Sequence, residues 1–359
     1  MTKARTNASV APAVGRNMII NGAMNVAQRS ASVTGIGSTA GGYFTCDRWL
    51  IESGNTAGRA TMSQTADGPN GISANCIKLD CTTADASIAA SEYFLLEQKI
   101  EGQNLQRIGK GVAGAKQITV SFYVKASAAF DFVVEFFDDD NARHCCKLFS
   151  TTTDWTRVEF VVPADEDDGS SPFADDNAQS ARLFFWLHAG STYTGGTLAT
   201  AWANQVAGNR AAGLDSFFSN TANNFFITGV QMEVGPVATE FEQEEISTTL
   251  GKCERYFQKW DVEATIGAGL WFAADQPLGN LNFRQVMRTS PTIAVSSADF
   301  VKVYYEGAAI SANDSSSPFD IININSARFN LTMASNGTVG QGALFQMNGS
   351  EYIHVDAEL

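Results

Sequence analysis

Gln117-Ile118-Thr119-Val120-Ser121-Phe122-Tyr123-Val124 alternates polar and apolar residues over eight positions. A period of two places the apolar side chains on one face of an extended chain, which is the pattern of a half-buried strand. Four further segments read the same way: Phe132–Phe137, Arg157–Val162, Arg182–His188 and Asn224–Val234. Asp138-Asp139-Asp140-Asn141 stops the first of these, and Pro163 with the acidic run Asp165-Glu166-Asp167-Asp168-Gly169 stops the second. Short strands broken by turn residues, with no regular alternation of crossover helices, predict an antiparallel sandwich rather than a parallel sheet.

Working toward the C-terminus, the pattern changes once. Ser247 is placed to cap a short helix over 248–258, with Leu250, Cys253 and Phe257 on one face. Gly251 costs that helix about 1 kcal/mol relative to alanine. Beyond it lie more strand candidates at Thr292–Ser296, Phe300–Tyr305, Arg328–Thr332 and Tyr352–Val355, with Asn336-Gly337 and Asn348-Gly349 as hairpin turns. The expected organisation is an arm over 1–16, a sandwich over 17–245, a helical linker over 246–260 and a smaller β-sandwich domain over 261–359.

Composition narrows the function. The 359 residues carry 24 Lys and Arg against 38 Asp and Glu, a net charge of −14. A protein that neutralises phosphates needs clustered cations, so nucleic-acid and anionic-membrane partners are disfavoured. No stretch approaches 18 consecutive apolar residues, so no membrane insertion is expected. The opening Met1–Asn7 has no apolar core behind it and does not read as a secretory signal. The expectation is a chain made in a reducing cytoplasm. Its six cysteines, Cys46, Cys76, Cys81, Cys145, Cys146 and Cys253, show no zinc-type grouping and are expected as buried free thiols. The arm over 1–16 cannot bury a core by itself, so a partner chain is expected to order it.

Three segments resemble bacteriophage tail-fibre and minor tail proteins that carry a carbohydrate-binding-module-like jelly roll. The first is Asn17-Met18-Ile19-Ile20-Asn21-Gly22-Ala23-Met24-Asn25-Val26-Ala27-Gln28-Arg29, followed by Gly42–Trp49. The second is Val230-Gln231-Met232-Glu233-Val234-Gly235 with Ala238–Glu242. The third is Cys253–Lys259 with Met287–Thr292. The resemblance implies an all-β chain, with the first two segments as the first and last strands of a jelly-roll sandwich. It implies a non-enzymatic virion component, a tail fibre or tail tip assembled in the host cytoplasm. That component would form a homotrimer, be anchored to other tail or capsid proteins through residues 1–16, and attach to a host-surface glycan. A capsid decoration or connector role without receptor binding is the alternative. Related jelly rolls hold a structural calcium with an acidic residue after the opening Asn-Gly. Ala23, Met24 and Asn25 stand there in this chain, which leaves Glu233 and Asp47 as calcium candidates. No cofactor is otherwise expected.

Sugar rings stack on aromatic faces, and Trp155, Phe173, Tyr193 and Trp202 are the candidates for that contact. Tyr193 and Trp202 fall in the Gly-, Thr-, Ala- and Asn-rich stretch 189–213, which reads as an exposed excursion. Trp186 lies in an apolar run and reads as core, as Asp47-Arg48-Trp49 reads as a structural lock. The acidic runs 138–140 and 165–168 read as solvated loops, since a glycosidase needs two carboxyls at a set separation. His144 beside Cys145-Cys146 suggests a Cys/His pair, but no oxyanion hole or orienting third group accompanies it. His188 and His354 read as strand packing.

Overall fold

In a computed structural model, the structure describes residues 15–39, 41–166, 172–306, 308–312, 318–333 and 337–359. Residues 1–14 of the expected arm, Asp167 and Asp168 of the second acidic run, and Asn336 of one expected turn lie outside them. The chain divides into two compact units, residues 1–249 with Leu359, and 250–358. Among the described residues no helix is long and apolar enough to cross a membrane.

The first unit is a two-layer antiparallel jelly-roll sandwich. Its strands are β1 (Ser32–Ser38), β2 (Gly42–Tyr43), β3 (Leu50–Gly54), β4 (Thr56–Thr65), β5 (Cys76–Thr83), β6 (Tyr93–Glu101), β7 (Ile118–Ala126), β8 (Asp131–Asp138), β9 (Arg143–Ser150), β10 (Thr156–Val162), β11 (Gln179–Ala189), β12 (Ala203–Asn204) and β13 (Asn224–Val234). One sheet runs β1-β4-β5-β13-β7-β10 and the other β12-β9-β8-β11-β6-β3-β2. The five strands read from periodicity are β7, β8, β10, β11 and β13. Between the sheets, Phe122 of β7 meets Phe185 of β11 edge to face at 5.0 Å, and Trp49 and Phe94 are fully buried around them. All six cysteines are free and buried.

The opening motif is not a regular strand. Residues 17–22 run beside β13 and bond to it through backbone and side chain alike. Met18 N donates to Met232 O, Asn17 Nδ2 donates to Val230 O, and Met232 N donates to Asn17 Oδ1. Asn21 takes a left-handed φ of 57°. Its amide donates to Val26 O and Asp47 O and accepts from Val26 N. A Cβ at Gly22 would lie 2.0 Å from Val230 O, so the chain comes this close only because residue 22 has none. Asp47, Arg48 and Trp49 are all buried, as a structural lock requires.

In the second unit, a sheet of Phe257–Trp260, Ile353–Asp356 and Thr292–Val295 shares one core with a seven-stranded sheet. Phe329 and Phe345 stack at 4.5 Å inside it. The helix spans Ile246–Glu254 and stops short of the expected end, because Phe257–Trp260 pairs with Ile353–Asp356 as a strand. Ser247 therefore lies inside the helix rather than at its cap. The two parts of the third motif clasp each other. Gln258 Nε2 donates to Met287 Sδ at 3.1 Å, and Arg288 N donates to Arg255 O. Asn348-Gly349 is a turn, with Gly349 at φ 60°. It joins strands of different sheets, so it is not a hairpin.

Two loop readings need refinement. The stretch 189–213 keeps many exposed residues, as expected, but it folds back onto the sheet rather than standing free. It carries a short helix, Ser191–Thr194, pairs β12 with β9, and buries Ala211 completely against Leu95, Val133, Phe184 and Trp186. The acidic runs are not simply solvated. Lys110, itself buried, pairs with Asp138 at 2.8 Å and Asp165 at 3.2 Å, and Arg143 closes on Asp165 at 3.1 Å. These carboxylates neutralise buried cations, which is why they are held at strand ends rather than in water.

Candidate functional site

The sheet β12-β9-β8-β11-β6-β3-β2 turns one face to the core and the other outward. Register decides what the outer face carries. Cross-strand pairing lines up Glu97 of β6, Phe184 of β11, Glu135 of β8 and Cys146 of β9 in one row. Glu52 of β3, Leu95, Trp186 and Val133 form the next. Period-2 alternation thus sends Arg182, Phe184 and Trp186 outward, while Leu183, Phe185 and Leu187 join the core.

Arg210, from the 189–213 segment, reaches down onto this face. Its guanidinium lies 4.8 Å from the Trp186 ring centroid and 5.1 Å from that of Phe184. It forks onto Glu135, with Nη2 2.9 Å and Nε 3.0 Å from the carboxylate oxygens. Trp186 Nε1 donates to the same group at 2.7 Å, and His144 Nδ1 lies 2.7 Å from it. Burial alone would raise the Glu135 carboxyl, but Arg210 and His144 together bring it below its ordinary range. Arg182 mirrors this arrangement. It lies 4.7 Å from the Phe184 centroid and bonds Asp139 through Nη2 at 2.7 Å. Glu52 and Glu97 stand 4.0 Å and 3.9 Å from its other nitrogen.

Between these groups opens a cleft of about 100 Å³ lined by Glu52, Tyr93, Arg182, Trp186, Tyr193 and Arg210, with Leu95 and Phe184. Tyr193 stands 5.3 Å from Trp186 and 5.5 Å edge-on to Tyr93, and the Tyr93 hydroxyl donates to Glu52 at 3.3 Å. Burial, then the neighbouring Glu52 charge, pushes the Tyr93 phenol up to about 12. Glu97 is fully buried, and neither of its oxygens has a hydrogen-bond partner. Burial, reinforced by Glu52, pushes its carboxyl up to about 8, so it is protonated at neutral pH. The cleft offers half-exposed rings, two fixed guanidinium planes and one partly exposed carboxylate. That set can stack on an apolar ring face and hydrogen-bond hydroxyls at its edge.

Of the four residues expected to stack on sugar, Tyr193 lines this cleft. Phe173 is corrected: it is buried at 5% exposure, edge-on to Phe136, and has no face to offer. Trp202 is half-buried at the end of the sandwich, donates through Nε1 to Pro163 O, and carries Lys110 5.4 Å from its centroid. Trp155 lies on the opposite sheet, donates to Asp67 O, and has Lys125 5.2 Å from its centroid. A second, wider groove of about 660 Å³ runs between Leu148 and Val161, but Phe160, its one aromatic side chain, is buried. Sequence reading missed Glu52, Tyr93, Arg182 and Arg210, and it assigned Trp186 to the core alone. Trp186 is indeed buried, and it also floors the cleft. The alternation Arg182-x-Phe184-x-Trp186 carried that signal, since a purely internal strand has no place for the arginine.

The calcium candidates do not fit calcium. Glu233 Oε1 accepts from Gln231 Nε2 and from Thr239 N and Oγ1, and Oε2 accepts from Thr239 Oγ1, with Arg16 at 3.5 Å. Asp47 accepts from the backbone and side chain of Gln28. Among the described residues neither carboxylate joins a cluster of further acidic, histidine or cysteine ligands, whereas calcium asks for six to eight oxygens turned toward one point. The Cys/His pair is buried. Cys146 Sγ lies 3.7 Å from His144 Nδ1, and burial, then Glu135, pushes its thiol up, the opposite of the depressed value an activated thiol carries.

No protein-family model matches the sequence, and no curated protein matches it. Among solved structures, the chain is similar to a family 61 carbohydrate-binding module in complex with β-1,4-galactotriose, at 10% identity, 62% of this chain, all of that chain and a TM-score of 0.31. It is also similar to the family 11 module of Clostridium thermocellum in complex with a β-1,3-1,4-mixed-linked tetrasaccharide (12% identity, 54% of this chain, 91% of that chain, TM-score 0.27). A third similarity is to the CBM22-1 xylan-binding domain from Paenibacillus barcinonensis (12% identity, 52% of this chain, 87% of that chain, TM-score 0.25).

Proposed function

We propose that the chain binds a glycan in the cleft on the outer face of the β11-centred sheet. The observation that carries this is the convergence of the half-exposed rings of Tyr93 and Tyr193, over the buried Trp186, with Arg182, Arg210 and Glu52 on one face. A volume of about 100 Å³ is below that of pockets for drug-sized ligands, so the cleft takes one sugar unit or chain end. The role is binding without catalysis. Glu52 and Glu97 have the unequal environments of an acid–base pair, but Glu97 is sealed from the cleft and cannot reach a glycosidic oxygen. The glycan belongs to a host surface in this reading. The motifs at 17–29 with 42–49, 230–235 with 238–242, and 253–259 with 287–292 support a tail-fibre or tail-tip component of a tailed phage, present as a homotrimer.

Titration calorimetry against host surface polysaccharide tests the cleft. Tyr193→Ala is expected to weaken binding about tenfold, the equivalent of 1.4 kcal/mol from one lost stacking contact. Binding unchanged in that variant would remove the cleft from consideration. Immunogold labelling of the chain on the capsid, rather than the tail, would overturn the tail assignment, and released oligosaccharide would overturn the non-catalytic one.

A further inference from the structure

At one end of the first unit, two loops and the end of a strand converge on a buried spot outside the cleft. Asp85 follows β5, Glu92 precedes β6, and His188 lies at the end of β11. Register slips between Trp186 and His188, so Leu187 is an extra residue. That bulge turns His188 off the outer face carrying Trp186 and against Phe218, 5.3 Å away. One ligand atom from each of Asp85, Glu92 and His188 lies within 4.8 Å of the other two, and all three residues are buried.

Two of these atoms have nothing to bond. Glu92 Oε2 and His188 Nε2 are buried without a hydrogen-bond partner, and at 3.6 Å they are too far apart to serve each other. His188 is fully buried, and its other nitrogen, Nδ1, sits 2.8 Å from Ser216 Oγ, which fixes the ring with Nε2 facing the acids. Asp85 is held by Thr56 Oγ1, Ala57 N and Ser87 N. This is the outer-shell support that ligating imidazoles and carboxylates carry in metal sites.

We propose that Asp85, Glu92 and His188 bind a divalent transition-metal ion, zinc foremost. A tetrahedral zinc ion with bonds of about 2.0–2.2 Å sets its ligands about 3.4 Å apart, so the three side chains close in modestly and a water or a further group takes the fourth position. One imidazole and two carboxylates suit zinc, whereas calcium prefers six to eight oxygens. The ion would tie the end of β5 in one sheet to β6 and β11 in the other.

The test uses the full chain, unfolded and refolded with Zn²⁺ or with EDTA, desalted, and assayed for bound metal by mass spectrometry. The expected result is one zinc per chain, a higher thermal midpoint for the zinc form, and loss of the metal in Glu92→Gln and His188→Gln. Ser216→Ala is expected to weaken zinc binding about 10–100-fold by freeing the ring. Cys146→Ser, in the separate Glu135–His144–Cys146 group, is expected to keep the metal. Wild-type chain that refolds with zinc yet holds none overturns the proposal, whatever the variants do. So does wild-type stoichiometry in folded Glu92→Gln and His188→Gln, or loss of the metal in Cys146→Ser.

Discussion

A methyl group at Gly22 would meet the Val230 carbonyl, a backbone atom that cannot swing aside. Gly22→Ala is therefore expected to destabilise the first unit by about 3 kcal/mol or more, as strong overpacking does, and denaturant unfolding measures it. Glu97 poses the opposite problem, a side chain that fits but titrates badly. Its carboxyl stays protonated in the fold up to about pH 8, whereas an unfolded glutamate ionises near 4.3. The unfolded chain therefore releases that proton first, and stability linked to Glu97 is full below about pH 4 and declines as pH rises toward 8. Glu97→Gln keeps the shape without the titration. The variant is expected to melt within a degree or so of wild type at pH 4, and above wild type by about 5 °C or more at pH 9. Equal midpoints at both pH values would show that Glu97 is not the buried acid described. Residues such as Asn21, Gln231 and Glu233 stood out in the sequence as motif positions, but their work did not. Asn17 bonds to β13 more than 200 positions away, and nothing in local spacing announces such a partner.

At the scale of elements, β7 and β10 were legible from period-2 alternation, whereas β8 and β11, buried on both faces, were legible as short apolar runs bounded by turn residues. Alternation failed for β9, where Arg143-His144-Cys145-Cys146-Lys147 carries polar groups that bond Asp165, Glu135 and the Glu159 carbonyl on other elements. It failed again for 189–213, whose small and polar residues look like a free loop until Arg210 is seen pinned to Glu135. That pin is testable. Arg210→Ala leaves Glu135 buried with Trp186 and His144 but without its guanidinium partner, and breaking a buried pair from one side costs about 3–5 kcal/mol. Limited proteolysis of the variant is expected to cut within residues 191–213 at protease concentrations that spare the wild type. An uncut variant would mean that the segment is held by its apolar contacts alone. The cleft was illegible for the same reason, since Tyr193 and Arg182 meet only when the excursion folds back.

At the scale of the molecule, the large sheet of the second unit leaves an apolar surface. Leu270, Phe272 and Leu344 are 45%, 63% and 50% exposed. Leu344 pairs with Ala268, two residues before Leu270 and four before Phe272, so all three side chains lie on the same face. In the homotrimer reading this apolar patch, flanked in register by Lys302 and Arg328, is the surface that neighbouring copies would cover. Phe272→Asp is expected to lower the mass seen by light scattering to that of one chain while leaving the sheet signal in circular dichroism intact. A monomeric wild type would end the trimer reading.

The six buried thiols have a use that their chemistry conceals. None reacts while the fold is closed, five belong to the first unit and Cys253 to the second. Pulses of a thiol reagent along a denaturant gradient would therefore clock the opening of each unit separately, without any engineered label.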